Sequence, residues 1–231
     1  MKKKLVVLTG AGMSAESGIA TFRDSDGLWM NYNVEEVATP EGFAANPELV
    51  LNFYNDRRRE VMKAQPNGGH IGLAALEKLF DVHIITQNID NLHERAGSHH
   101  VLHLHGEIMK SCPVGDMQTT YDIPADNPDL HLGDLDPQGR QLRPFIVWFG
   151  EAVPMIDPAI KLVEACDILV IIGTSLNVYP AAGLINYVRR GQPVYLIDPK
   201  SVHTNRFDIH HIQKGASAGV RELTQLLKRL A

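Results

Sequence analysis

Five short runs of apolar, largely β-branched residues constrain this chain more than any other feature: Leu5–Leu8, Val82–Thr86, Val101–Leu104, Ile168–Ile172 and Val194–Ile197. None alternates cleanly between apolar and polar, so each would be a strand buried on both faces. Such strands occur in parallel sheets whose two sides are both covered by helices. The stretches between them supply the helices: the spacing predicts them over residues 14–18, 69–80, 158–165, 180–190 and 219–230. The expected fold class is therefore α/β, a doubly wound parallel sheet. At 231 residues and 44% apolar content, the chain can bury one such core with a modest insertion, not several domains.

Two stretches break the rhythm. Residues 31–68 read as helical but with mixed faces and breaks at Pro40 and Pro47, and residues 108–144 are rich in Asp, Pro and Gly with little periodicity. The second is too long for a simple connection. Both are assigned to a small module, a helical part plus a loop part, inserted into a large part made of residues 1–30, 69–107 and 145–231. A net charge of -5 gives no general attraction to nucleic acid or anionic membranes. After Met1-Lys2-Lys3-Lys4 the apolar run ends at Thr9-Gly10, too early for a secretory signal, and no stretch approaches the roughly 20 apolar residues of a membrane span. Cys112 and Cys166 lie in unlike contexts, so no disulfide framework is expected and a reducing cytoplasm fits.

Gly10-Ala11-Gly12-Met13-Ser14-Ala15 follows the first strand directly and opens a helical turn. Glycines there let the backbone approach a pyrophosphate, whose charge the helix start favours. The segment that follows, Thr21-Phe22-Arg23 to Trp29, lacks the second strand and the acidic residue of an ordinary dehydrogenase, so a flexible loop closing over a dinucleotide fits better than hydride transfer. Two histidines, His103 and His105, project to the same side at the end of another strand. A general base or a two-histidine metal site are both open readings of that pair.

The string from Gly10 to Arg23 resembles the first signature of the sirtuin family. It is joined in order by Thr86-Gln87-Asn88-Ile89-Asp90, Leu104-His105-Gly106, Val147-Trp148-Phe149-Gly150-Glu151 and Gly173-Thr174-Ser175. Those motifs span nearly the whole chain. The resemblance implies a Rossmann-like large domain with a small module and an NAD-dependent removal of acyl groups from protein lysines. It further implies that NAD is held by Gly10, Ala11, Gly12, Ser14, Ala15, Thr21, Phe22, Arg23, Trp29, Gln87, Asn88, Ile89 and Asp90. His105, Gly173, Thr174, Ser175, Asn177, Asp198 and Ala216 complete that set. Asp198 stands where the family usually has asparagine; its carboxylate can still accept from ribose hydroxyls and disfavours NADP. Asn88 and Asp90 would position the nicotinamide ribose and carboxamide, and His105 would be the general base. In the implied reaction the acyl-lysine carbonyl oxygen attacks the ribose carbon as nicotinamide leaves. His105 then activates a ribose hydroxyl, and the products are free lysine, nicotinamide and O-acyl-ADP-ribose.

Acylated lysines in proteins or peptides are the implied partners. An extended peptide would pair between Val147, Phe149, Gly150 and Glu151 on one side and Val178 on the other. Tyr54 and Arg57, spaced i, i+3, resemble the tyrosine-x-x-arginine pair of the class III members. A phenol and a guanidinium suit the carboxylate of a succinyl or malonyl group. The family's two cysteine pairs for structural zinc are not matched, because Cys112 stands alone. No zinc and no other metal is expected, and the module would pack around Tyr121, Ile123, Leu130, Leu132 and Leu135. ADP-ribosyl transfer and a non-catalytic NAD-sensing module are the alternative functions.

Overall fold

β1 (Lys4–Thr9) is the centre of the molecule because all but its first residue is buried, with side chains alternating between two cores. A computed structural model of the chain describes residues 2–21, 32–202 and 208–229. β1 pairs in parallel with β2 (Asp81–Thr86) on one side and β7 (Ile168–Ile172) on the other. The full six-stranded order is β3-β2-β1-β7-β8-β9, with β3 at Val101–His103, β8 at Val194–Ile197 and β9 at Ile209–Ile212. Every pairing in it is parallel. Strand order reverses between β1 and β7, which is where doubly wound sheets open a ligand crevice.

Leu5 and Val7 of β1 join Val82, Ile84, Val170 and Ile172 under α4 (Gly68–Leu76) and α7 (Ala216–Leu227). Val6 and Leu8 point the other way, with Ile85, Leu169 and Ile171, under α6 (Ile156–Glu164) and the 3-10 turns of Ala181–Tyr187. This is the two-sided burial that the unbroken apolar runs require. α4 starts on a reciprocal cap: Asn67 Oδ1 accepts from Gly69 N, and His70 Nδ1 accepts from Asn67 N.

The helical part consists of α1 (Val34–Val37), α2 (Pro40–Ala45) and α3 (Pro47–Lys63), each capped by an Asn or Thr side chain. Their apolar faces share a third core with Ile108, Ile123, Leu130, Ile146 and Trp148. Arg58, fully buried, donates to the carbonyls of Ile108 and Pro128 and to Asn55 Oδ1, which pins α3 to the neighbouring strand and loop.

Several expectations are corrected. Residues 14–18 form no α-helix but a single 3-10 turn, Ala15–Ser17, which follows another at Ala11–Met13 and is ended by Gly18 at φ +83°. The stretch 180–190 is 3-10 rather than α. α7 begins at Ala216, before Gly219, and the edge strand β9 escapes an apolar reading because His210 and His211 occupy its middle. Residues 108–144 are more ordered than their composition suggests. They hold most of an antiparallel sheet, β5-β4-β6, formed by β4 (Gly106–Pro113), β5 (Tyr121–Asp122) and β6 (Leu142–Ile146). Ile123 and Leu130 are buried there as expected, whereas Leu132 and Leu135 are 54% and 55% exposed and Tyr121 is half-buried.

Candidate functional site

Because the main sheet is wholly parallel, the segments leaving the carboxyl ends of its strands gather at one edge. Gly10–Ala15 leaves β1, Gln87–Asp90 leaves β2, His105 follows β3, Gly173–Ser175 leaves β7 and Asp198 leaves β8. The first and fourth of these touch. Gly12 N donates to Gly173 O at 2.9 Å, and Gly10 N to Ile172 O at 3.0 Å. A Cβ on Gly10 would lie 2.7 Å from Thr174 Cβ, and one on Gly12 2.7 Å from Gly173 Cα; Gly173 itself sits at φ +61°. Here the glycines serve loop-to-loop contact as well as any ligand. Met13 N and Ser14 N also bond within the turn, to Gly10 O and Ala11 O. The amides of Ala11 and Ala15 are left without a partner among the described residues, available to an anion.

Asn88 and Asp90 are held from beneath. Asn88 Nδ2 donates to Ser14 Oγ at 3.1 Å, and that hydroxyl donates to Asp90 Oδ2 at 2.8 Å. Asp90 Oδ1 accepts from Leu92 N, and Asn88 N donates to Thr86 Oγ1. Thr86 is register partner to Thr9, whose hydroxyl donates to it at 2.9 Å. Burial pushes the Asp90 carboxyl above the usual range, partly offset by the N–H of Leu92 and the Ser14 hydroxyl. Gln87 Nε2 donates to Thr174 Oγ1 at 3.2 Å and so bridges the β2 and β7 loops.

His105 Nδ1 lies 3.0 Å from Gln87 O. A carbonyl only accepts, so Nδ1 carries the hydrogen and Nε2 is left as the basic nitrogen. Burial lowers the His105 pKa below its ordinary value, and the bond to Gln87 O opposes that shift only in part. His103 Nδ1 takes the next carbonyl, Asn88 O, at 3.2 Å, and its Nε2 meets Glu94 Oε1 at 2.7 Å. Two histidines engaged in this way do not form a metal site, and no group of three His, Cys, Asp or Glu suited to a metal occurs among the described residues.

Val147 N donates to His105 O at 3.0 Å, which joins the site to the segment after β6. Buried Trp148 donates from Nε1 to Tyr54 Oη at 3.0 Å, under a guanidinium from Arg143 stacked 3.4 Å from its ring centre. Glu151 accepts from Arg143 and from Trp148 N, so its carboxylate braces this turn. Tyr54 is buried, and burial raises its phenol pKa far above the ordinary value, so it stays protonated. With Trp148 as donor, the phenol's own proton has no acceptor among the described residues. Arg57, one turn along α3, pairs with Glu60 through Nη2, while its Nε is buried without a partner. Phe149 and Val178 are exposed at 53% and 37%, as are Gly150 and Asn177. Asp198 accepts from Lys200 N, and Ala216 is buried at the start of α7. Phe22, Arg23 and Trp29 lie outside the described residues. Ile89 and Thr21 are half-buried. Reading the sequence missed the Thr9–Thr86 pair, the Trp148–Tyr54 bond and the Arg143 stack, for which only strand register or long-range contact gives a signal.

Comparison with known proteins gives a concordant result. The model of the Sir2 family matches residues 10–180. A protein of Bacteroides thetaiotaomicron named NAD-dependent protein deacylase is 62% identical over 230 residues, covering 97% of this chain and 98% of its own length. One of the same name from Helicobacter pylori is 54% identical, covering 86% of each. Among solved structures, a Sir2 homologue in complex with NAD is 40% identical with a TM-score of 0.88, covering 99% of this chain and 91% of that one. A Sir2 protein with a deacetylated p53 peptide and 3′-O-acetyl ADP ribose is 30% identical with a TM-score of 0.82, covering 97% and 94%.

The tautomer and burial of His105 set a measurable expectation. In an NMR-detected histidine titration its midpoint falls below 6.5, with Nδ1 protonated in the neutral form. A midpoint above 6.5, or a neutral ring protonated at Nε2, contradicts the geometry described.

Proposed function

Because the chain belongs to the Sir2, or sirtuin, family of NAD-dependent protein deacylases, we propose that it removes acidic acyl groups, succinyl and malonyl above acetyl, from lysine side chains. The observation that carries this reading is a pair of unanswered donors on one face of α3. The Tyr54 O–H and the buried Arg57 Nε–H both lack an acceptor, and each can donate to a carboxylate. Arg57's present partner, Glu60, is a half-exposed i+3 neighbour, a pairing worth little in water and readily given up. The chain of bonds Tyr54–Trp148, then Val147–His105, links this pair to the catalytic base we assign.

NAD, when bound, supplies an activated glycosidic bond to the nicotinamide and the ribose that receives the acyl group. On this reading Ala11 and Ala15 offer amides, and Thr174 and Ser175 hydroxyls, to its phosphates and ribose. Asn88 and Asp90, fixed through Ser14, face the nicotinamide end, and Phe22, Arg23 and Trp29 would close over it. His105 Nε2 takes the proton from a ribose hydroxyl; its lowered pKa keeps it neutral at physiological pH. An acylated protein segment would lie as an added strand between Val147–Gly150 and Val178, with its backbone as the main contact.

We also read the small module as folding without zinc. Cys112 Sγ is buried against Met117 and the Pro144 carbonyl, and burial pushes its thiol up to about 11, so it is no ready thiolate ligand. Arg140 instead ties two loops of the module together, reaching Asp116 at 3.1 Å and the buried carboxylate of Asp136 at 2.7 Å. Metal analysis of untagged protein is expected to find far less than one zinc per chain; a full equivalent that resists chelation contradicts this.

Arg57→Met is expected to lower kcat/KM on a succinyl-lysine peptide about 10–100-fold, the size of a lost charged hydrogen bond, and to leave the acetyl peptide nearly unchanged. Tyr54→Phe acts in the same direction but also strands the Trp148 N–H, so Arg57→Met is the cleaner test. Equal loss on both peptides contradicts the acidic-acyl pocket.

A further inference from the structure

His103 ends β3 and is buried, with a side chain only 8% exposed, yet the reaction outlined above gives it no part. Its two ring nitrogens meet Asn88 O at 3.2 Å and Glu94 Oε1 at 2.7 Å. A carbonyl and a carboxylate both only accept, so both contacts are hydrogen bonds only when both nitrogens carry hydrogen. The ring is then an imidazolium, with Glu94 as its counter-ion.

The two acceptors stand at opposite ends of one segment. Asn88 is the second residue of the loop after β2, and Glu94 lies on α5 (Leu92–Arg95), which closes it. One ring therefore staples both ends of the loop that carries Asn88 and Asp90. His105, two residues along, takes the preceding carbonyl of Gln87, so successive histidines grip successive carbonyls. The charged and titratable neighbours of His103 are Glu94 and His93 from α5, Asp90 from the loop and Glu107 from β4.

We propose that His103, clamped by Glu94, is a positioning residue for deacylation, acting through the Asn88 carbonyl to fix the Asn88 side chain against Ser14 and beside His105. The proposal rests on the assignment of Asn88 and His105 given above. The deacylase activity itself is tested separately, by acyl-dependent nicotinamide release from the unaltered enzyme, so failure of that reading and failure of the clamp are distinguishable.

The clamp titrates. Burial pulls the His103 pKa down, but the hydrogen bond it donates to Glu94 and the charges of Glu94 and Glu107 more than offset it, and the net shift is upward from 6.5. A raised folded-state value means that the staple is complete below the ordinary histidine pKa and is lost as pH rises through the raised one. Once His103 is neutral, its Nδ1–H is kept for Asn88 O and its Nε2 lone pair faces the Glu94 carboxylate. Activity should then decline on the alkaline side for a reason unconnected with His105, whose own protonation causes the acid-side decline.

Three variants read this out in profiles of kcat/KM for NAD against pH at saturating acyl peptide. Glu94→Gln, isosteric and at a partly exposed position, offers an amide N–H to a neutral Nε2; the alkaline decline should vanish or move. His103→Leu should lower kcat/KM for NAD about 10-fold or more through a misplaced Asn88, with KM for the peptide close to the unaltered value. His103→Asn restores a donor near the Asn88 carbonyl without a titrating ring, so it should recover most of the loss and show no alkaline decline. An alkaline decline left in place by Glu94→Gln, or a His103→Leu enzyme with unaltered kcat/KM, would overturn the proposal. So would a His103→Asn enzyme as impaired as His103→Leu.

Discussion

The site depends on one close approach: the turn after β1 lies directly against the turn after β7, with Gly12 N donating to Gly173 O. No side chain larger than hydrogen fits at Gly10, Gly12 or Gly173 without displacing backbone or a Thr174 side-chain carbon. This contact closes the floor of the crevice at the point where strand order reverses. The turn also uses up the amides of Gly10, Gly12, Met13 and Ser14 and leaves those of Ala11 and Ala15 without a partner among the described residues. From that floor, Gln87 reaches across to Thr174, and Ser14 reaches under Asn88 and Asp90. Anything bound above the two turns meets a surface whose polar groups are already oriented.

A second constraint is the economy of buried polar groups. Thr9, Thr86, Ser14, Asn88, Asp90 and His93 are all buried near the crevice, and each has a partner within the network, although His93 Nδ1 is left without one. In a low-dielectric setting the hydrogen bonds of such a network hold its members in place, and each unpaired atom is costly. Two histidines extend it along the end of β3 and differ in charge because their surroundings differ. At His105 burial outweighs the Gln87 carbonyl and lowers the pKa; at His103 the Glu94 carboxylate outweighs burial and raises it. A base biased toward its neutral form beside a histidine biased toward its protonated form is what these surroundings dictate.

The sheet was legible in the sequence because a strand buried on both faces leaves an unmistakable run of Val, Ile and Leu. β1, β2, β7 and β8 were found on that ground. The edge strand β9 was not, since His210 and His211 face outward at the sheet margin where burial no longer selects residues. The antiparallel β4–β6 sheet was also missed: its two longer strands include Pro113 and Pro144, and Asp- and Gly-rich turns separate its members. Gln87, Asn88, Asp90, His105, Gly173 and Thr174 were picked out as candidates, and strand ends bring them to one edge. The Tyr54–Trp148 bond joins residues 94 positions apart and could not be read from either motif alone. Phe22, Arg23 and Trp29 fall outside the described residues, and their part in closing the site stays a proposal.

On the proposed reading NAD binds over the glycine turns, an acidic acyl chain binds at Tyr54 and Arg57, and His105 is the base that serves both. The central claim of that reading is that glycosidic cleavage is coupled to the acyl group. The direct measurement follows nicotinamide release from NAD by the unaltered enzyme with one lysine peptide in four forms: succinyl, malonyl, acetyl and unmodified. The account expects release that requires an acyl group, is fastest with succinyl or malonyl, and matches the O-acyl-ADP-ribose formed. Release at the same rate with the unmodified peptide would contradict it and indicate NAD hydrolysis or ADP-ribosyl transfer instead.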